Sequence, residues 1–311
     1  MRPSNFHIEA NKKWASMIEQ VNKGKGWKDI KSCPVCNCED SIPEFTKFHI
    51  DLVRCPECQL RYHVKAPVDI NDAYNSPTYM QGSQGFWTDD YEYRKERFGR
   101  ERMEILTNTI GDIKGKSILD VGCGSGYFLD CAKEKGAICY GLEIADDIRQ
   151  WVSRQLGIKV FSRPIEELAS DTKFDVITMF DLIEHVERPA ELLLHAHRLL
   201  KNGGHVFFYT PNFDSFGIKV MQDQSNLISP AAHLLFFTSE SLQYVLNKVG
   251  FQVVYSATRG LDIADIISMF ESNRDTDISF IETWKEHLQA MIDYAGCGNS
   301  LRMIATKPTS N

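Results

Sequence analysis

The stretch ILDVGCGSGYFLD, Ile118–Asp130, decides how the chain is read. A short apolar run ends in Asp120 and Val121, then Gly122, Gly124 and Gly126 follow within five positions, and a helical pattern opens at Tyr127. A strand that runs through glycines into a helix lets the backbone turn sharply and lie close to a ligand. The dinucleotide spacing G-x-G-x-x-G needs glycine at position 127, where Tyr127 stands, and no Gly-Lys-Ser/Thr follows as a phosphate loop would require. The spacing G-x-G-x-G, with an acid two residues ahead, suits a ligand without a pyrophosphate. A tight turn that only packs the helix on the sheet is the bland alternative.

Outward from this loop the pattern alternates. SILDV, ICYGLE, KFDVITMF and GHVFFYTP read as short apolar strands, separated by helical stretches such as RPAELLLHAHRLLKNGG. That rhythm is the βαβ repeat of a parallel sheet covered on both faces, an α/β, Rossmann-like doubly wound class. FQVVYSA and LRMIATKP add two strands, with a helical insertion at about 261–298 between them. The second strand closes on Glu143, where a carboxylate can accept hydrogen bonds from both hydroxyls of a ribose.

The chain has 311 residues, 43% of them apolar, and a net charge of −7, which argues against a general nucleic-acid binder. Its N-terminus, MRPSNFHIEANKK, lacks the apolar core of an export leader, and no apolar run approaches a membrane span, so a cytoplasmic protein without membrane insertion is expected. The division expected is an N-terminal extension over 1–30, a cysteine-rich module over 31–66, a linker or lid with a leading helix over 67–110, and a main domain over 111–308. The extension is polar, with at best a short helix, and FHIDLVRC reads as a strand.

CPVC and CPEC are two C-x-x-C knuckles eighteen residues apart. Four thiolates so spaced can close a tetrahedral site of the kind structural zinc prefers, so Cys33, Cys36, Cys55 and Cys58 are assigned as ligands of Zn2+ in a zinc ribbon. With four sulfurs the metal has no open position, which makes it structural. Cys38 is expected to be a spectator. Residues 1–88 hold 11 Lys/Arg against 10 Asp/Glu, too even a balance for a phosphate-binding face, and RKERFGRERME reads as a solvated helix of mixed sign.

The ordered set ILDVGCGSGYFLD, GLEIADD, FDVITMFDLIEHVERPAELLLHAHRLLKNGG and HVFFYTPN resembles class I S-adenosylmethionine-dependent methyltransferases. The likeness is closest to the small-molecule branch that includes ubiquinone O-methyltransferases and bacterial sugar-modifying enzymes. It implies a seven-stranded sheet, S-adenosylmethionine (SAM) as cofactor and methyl transfer to a small-molecule acceptor. By the same resemblance Asp120, Gly122, Gly124, Gly126, Glu143, Ile144, Ile165, Glu166 and Phe180 would line the cofactor. Glu143 would hold the ribose, Ile144 would pack on adenine, and Ile165 and Glu166 would cap it.

Working residues of an open parallel sheet lie beyond the carboxyl ends of its strands. That rule points to DLIEHV and to the segment after VFFYTPN. His185 is the leading base for an acceptor hydroxyl or acidic C–H, His233 a second base or substrate contact, and Glu184 an orienting or metal-binding carboxylate. Each histidine could instead serve only structure. Tyr74 and Tyr79 match a segment that folds over SAM in zinc-bearing sugar methyltransferases, with Tyr79 a catalytic candidate, although an aromatic clasp between domains would use them equally. The acceptor expected is a nucleotide-linked sugar or glycan precursor. An RNA methyltransferase guided by its zinc ribbon and a non-catalytic SAM-binding scaffold are the rival readings.

Overall fold

The computed structural model describes residues 6–74, 90–169, 171–272 and 279–309. The chain opens with a helix over Phe6–Lys23, longer than its polar pattern suggested. Met17 and Val21 supply the buried stripe, packed against Ala73, Ala231 and Ala232. Five short strands follow: β1 (Trp27–Asp29), β2 (Ile42–Lys47), β3 (Ile50–Arg54), β4 (Arg61–His63) and β5 (Lys65–Pro67). β2 and β3 form a hairpin whose two loop residues, Phe48 and His49, both have positive φ (51° and 62°), the twist a two-residue hairpin demands. FHIDLVRC is therefore a turn and then a strand. β1 pairs with β5, which draws residues ahead of the first knuckle into the module.

A helix over Tyr91–Arg94 continues through a π-type turn at Lys95–Gly99 into Arg100–Ile110. A Cβ at Gly99 would lie 2.8 Å from Cys131 Sγ, so the glycine allows the close approach of the following domain. Then come β6 (Ser117–Val121), β7 (Ile138–Leu142), β8 (Lys159–Phe161), β9 (Phe174–Phe180), β10 (Leu200–Pro211), β11 (Leu235–Phe236), β12 (Gln252–Arg259) and β13 (Ser300–Thr306). Seven of them make one sheet in the order β12-β13-β10-β9-β6-β7-β8. β8, β7, β6, β9 and β10 are mutually parallel, while β13 runs antiparallel to both β10 and β12.

Alternating residues of the central strands feed two cores, one on each face. Leu119, Ile177, Met179, Val206 and Phe208 enter one; Ile118, Val176, Phe180, Phe207 and Tyr209 enter the other. Burial of side chains this size contributes roughly 1.5–3 kcal/mol each, which fixes the register of the sheet. The first of these cores also contains Val35, Val53, Leu60, Tyr62 and the knuckle cysteines Cys33, Cys55 and Cys58. β11, from the main domain, pairs with β4 as the fourth strand of the β2-β3-β4 sheet. The cysteine module is thus built into the flank of the main sheet. The late helices, Asp262–Ser272 and Ser279–Tyr294, pack on each other, and the first is tied to the rest of the chain by Gly217 N, which donates to Asp262 Oδ1 at 2.9 Å, and by His7 N, which donates to Ser268 Oγ at 3.1 Å.

Candidate active site

β6 delivers Asp120 to the sheet edge, where it is buried and accepts a 2.6 Å hydrogen bond from Thr178 Oγ1. Burial pushes its carboxyl up to about 7. The next three glycines all take positive φ, 73° at Gly122, 49° at Gly124 and 72° at Gly126. A Cβ at Gly126 would lie 3.0 Å from Leu156 and 3.1 Å from Val152, so this position is closed to side chains by conformation and by space. The N–H groups of Gly122 and Cys123 both reach the carbonyl of Leu142, which pins the loop to the end of β7.

One residue on, Glu143 accepts from Gly124 N at 3.1 Å through Oε2 and from Ala145 N at 2.9 Å through Oε1. An ionised carboxylate has about four acceptor sites, so one on each oxygen is left for a diol. Beside it Ile144 is 71% exposed, an apolar surface at the rim of the glycine loop. Ser125 Oγ is buried in the loop with no hydrogen-bond partner among the described residues. These features fit a ribonucleoside that carries no pyrophosphate. Ile165 is packed in the core instead of facing the rim, and its neighbour Glu166 is exposed. Phe180, at the end of β9, lies in a ring cluster with Phe128, Phe207 and Tyr209.

Beyond Phe180 the backbone turns through Asp181, whose φ is 53° and whose N–H reaches Tyr209 O at 2.8 Å. Arg102, 5% exposed, sits 4.4 Å from the ring centroids of both Phe180 and Tyr209 and donates to Tyr127 Oη and, at 3.1 Å, to Asp181 Oδ2. A buried guanidinium thus braces the strand end. Glu184 is 1% exposed and accepts from Thr210 Oγ1 at 3.0 Å; burial pushes its carboxyl up to about 8.

His185 Nδ1 lies 2.8 Å from Ala232 O and 3.0 Å from Tyr74 Oη. A carbonyl only accepts, so Nδ1 carries the proton and Nε2 presents its lone pair. Nε2 stands 3.8 Å from Glu184 Oε1. His233 repeats the arrangement, with Nδ1 2.6 Å from Leu227 O and its ring 4.9 Å from that of His185. Burial holds both rings below the usual imidazole range, His233 at about 3. One ligand atom from each of Glu184, His185 and His233 lies within 4.8 Å of the others. Trp14 leans on His233 at 6.0 Å and donates Nε1–H to Asn226 O at 2.8 Å. Tyr79 lies outside the described residues.

A family profile described as a methyltransferase domain matches residues 91–256, more than half of the chain. The chain belongs to the class I SAM-dependent methyltransferases. Ubiquinone biosynthesis O-methyltransferase of Bordetella avium is 27% identical over 193 residues, 58% of this chain and 79% of that one. The protein of that name from Acinetobacter baylyi is 30% identical over 136 residues, 41% of this chain and 57% of that one. Two solved structures share the fold. A SAM-dependent methyltransferase from Archaeoglobus fulgidus has a TM-score of 0.51 at 20% identity, covering 71% of this chain and 99% of that one. A chain from the complex between the Haloferax volcanii Trm112 methyltransferase activator and a methyltransferase reaches 0.53 at 15% identity, covering 74% and 97%.

The methyltransferase also carries a cluster of four thiols. Cys33 Sγ is 3.4 Å from Cys58 Sγ and Cys36 Sγ is 3.4 Å from Cys55 Sγ, with all four sulfurs within 4.8 Å of one another. These separations are far beyond a disulfide's roughly 2.05 Å. They are near the edge of about 3.8 Å that a tetrahedron with metal–sulfur bonds of about 2.3 Å requires. In each knuckle the residue after the second cysteine, Asn37 or Gln59, takes positive φ (62° and 60°) and returns its N–H to the first cysteine's carbonyl. Cys38 Sγ is not part of the four-sulfur group; it lies 3.7 Å from Asp40 O and beside Cys55.

Three features of the methyltransferase site escaped sequence reading. Arg102 belongs to the helix taken for a solvated face, yet Phe98, Arg102 and Leu106 lie on one stripe at four-residue spacing, and that stripe turns inward. Asp181 is a residue type that tolerates the left-handed conformation, but the run FDLIEH carries no turn pattern to single it out. The contribution of the N-terminal helix, through Trp14 and His7, depends on a packing that no local pattern encodes.

Proposed function

We propose that the enzyme methylates a hydroxyl oxygen of a small-molecule acceptor, with His185 as general base, and that the acceptor is a nucleotide-linked sugar or glycan precursor. The observation that carries the base assignment is the fixed tautomer of His185. Nδ1–H is tied to Ala232 O, and the bare Nε2 faces a buried carboxyl at the carboxyl end of β9. When bound, SAM supplies an electrophilic methyl group. Gly122, Gly124 and Gly126 would carry its methionine part and Glu143 its ribose. The chain's own task is to hold the acceptor hydroxyl in line, which can lower the barrier by on the order of 7–11 kcal/mol at best, and to receive its proton. With SAM bound, its methyl would be the electrophile and its sulfur the leaving group, and His185 Nε2 would take the proton that the acceptor hydroxyl gives up, with Glu184 beside it holding the ring in place. The names of the curated relatives support oxygen as the acceptor atom. The polar and aromatic wall of Trp14, His233 and Tyr74 supports a sugar-like acceptor.

Zinc in the Cys33–Cys58 cluster is part of the same proposal, supported by the thiol spacing and the paired knuckles. A cytoplasmic location is supported by nine cysteines that are all free. No helix among the described residues is long and apolar enough to cross a membrane. A second reading has Glu184, His185 and His233 hold a divalent cation that polarises the acceptor, favoured by the convergence of their three ligand atoms. The test incubates the protein and labelled SAM with fractionated cytosolic extract and identifies the labelled product by mass spectrometry. His185→Ala should lower transfer by about 10²–10⁴ with SAM affinity unchanged. Full transfer by His185→Ala removes the base, and activity abolished by a chelator but restored by a divalent ion replaces it with the metal reading.

A further inference from the structure

Lys47 closes β2 and is 8% exposed, with its Nζ donating to Ser225 O at 2.7 Å and lying 5.5 Å from the Phe48 ring. Its nearest acidic influence is Asp223, whose charge opposes the effect of burial without a direct ion pair among the described residues. An ammonium has three donors, and this one spends a single hydrogen bond in a buried setting. Burial accordingly pulls Lys47 down to about 8.

Around that cation lie other buried groups with unused hydrogen-bonding capacity. His63, 2% exposed on β4, makes no well-formed hydrogen bond through either ring nitrogen, with only the Asp51 backbone approaching the ring. His7 of the N-terminal helix is 7% exposed; its Nε2 faces the Asn11 amide at 3.0 Å and its Nδ1 is unpartnered. Asn226 Oδ1 and Ser229 Oγ, on the segment that supplies the Ser225 carbonyl, are unpartnered too. Lys47 of β2 pairs with Ile50 of β3, and Leu52 of β3 pairs with His63 of β4, so the two lie on the strands flanking β3 in one sheet, and the Lys47 charge also lowers His7 and His63. Buried polar atoms are rarely left unpaired, because each loses its hydration without a replacement. A knot of such groups drawn from the N-terminal helix, the cysteine module and the loop after β10 surrounds one buried cation.

This knot adjoins the acceptor end. The ring of Phe236 touches His63 at 5.4 Å on one side and His233 at 6.2 Å on the other, and His233 leads to His185. We propose that Lys47, His63 and His7 form an oxyanion subsite that holds a phosphate or carboxylate of the methyl acceptor. This deepens the reading of a small-molecule acceptor and rests on it for the ligand's identity, though the subsite exists or fails by itself. The zinc-bearing module then acts as the specificity wall of the active site. A nucleotide-linked sugar would seat its diphosphate here.

The test uses the full zinc-replete chain and three probes at equal ionic strength, inorganic phosphate, acetate and chloride. Phosphate or acetate at 10 mM should raise the melting temperature of the wild type above that in chloride. The larger of the two shifts identifies the source as a phosphate ester or a carboxylate. Lys47→Met should lose that shift and bind the preferred anion at least about tenfold more weakly by calorimetry, with SAM affinity unchanged as the control for folding. In chloride, Lys47→Met should melt at or above the wild type, because an unpaired buried charge has been removed. Should Lys47→Met fail to fold, His63→Phe, which keeps a ring against Phe236, must show the same loss. Equal anion shifts in wild type and variants overturn the subsite, as does no shift over chloride or a markedly lower melting point for folded Lys47→Met in chloride. Anion binding in a protein that transfers no methyl group would instead defeat the methyl-transfer reading and leave the subsite standing.

Discussion

Replacing Glu143 by alanine removes a carboxylate with two jobs. Its oxygens fix the loop by accepting from Gly124 N and Ala145 N, and in the proposed function their remaining lone pairs would take the two ribose hydroxyls. A hydrogen bond to a charged group is worth roughly 1.5–3 kcal/mol net, so losing the pair to ribose costs about 3–6 kcal/mol of cofactor binding. At about 1.4 kcal/mol per decade, Kd for SAM should rise by about 10²–10⁴. Glu143→Gln keeps the shape, yet its amide must present a donor to one of the two backbone N–H groups, so an intermediate loss is expected. Isothermal titration calorimetry with SAM gives the affinities, and a melting curve for each variant shows whether the loop alone has been damaged. An affinity for Glu143→Ala within threefold of wild type would refute the ribose assignment and the diol geometry behind it.

Two further outcomes follow from the packing. The chain should contain one zinc by elemental analysis, and Cys55→Ser should lose it. Because the cysteines share a core with one face of the main sheet, metal loss should lower the melting of the whole chain in a single transition, and a separate ribbon transition would contradict this. Burial holds His63 at about 3, below the 6.5 of a free imidazole, so the unfolded chain binds more protons in acid. Stability should be full above about pH 6.5 and fall toward pH 3, with about 2 kcal/mol lost at pH 5 through this residue alone. Urea midpoints at pH 7.5 and 5 should show that drop in the wild type and a smaller one in His63→Phe; equal drops would contradict it.

What the sequence disclosed was whatever a local pattern carries. Asp120, the three glycines and Glu143 stand at fixed offsets along one strand–turn–helix–strand unit, so their convergence is a property of short chain segments. The knuckle cysteines are legible for the same reason. The acceptor end is different. His185 and His233 are 48 positions apart, Tyr74 is farther still, Lys47 and His63 come from a module whose sheet borrows β11 from the main domain, and His7 comes from the N-terminal helix. Nothing near Lys47 in sequence foretells its burial, because β2 reads as an exposed edge until the segment at Ser225 covers its end. Ile165 shows the opposite failure: the family segment named it as an adenine cap, and its apolar side chain packs into the core. Burial through distant packing is therefore where local reading stops.

The account rests on a nucleoside seated at Glu143 with its sulfur turned toward His185. Crystals grown with S-adenosylhomocysteine test that most directly. The density should place the ribose hydroxyls on the Glu143 oxygens, adenine against Ile144, and the sulfur on the side of the sheet edge that His185 and Glu184 face. A ribose held elsewhere, or a sulfur facing away from that pair, would contradict it.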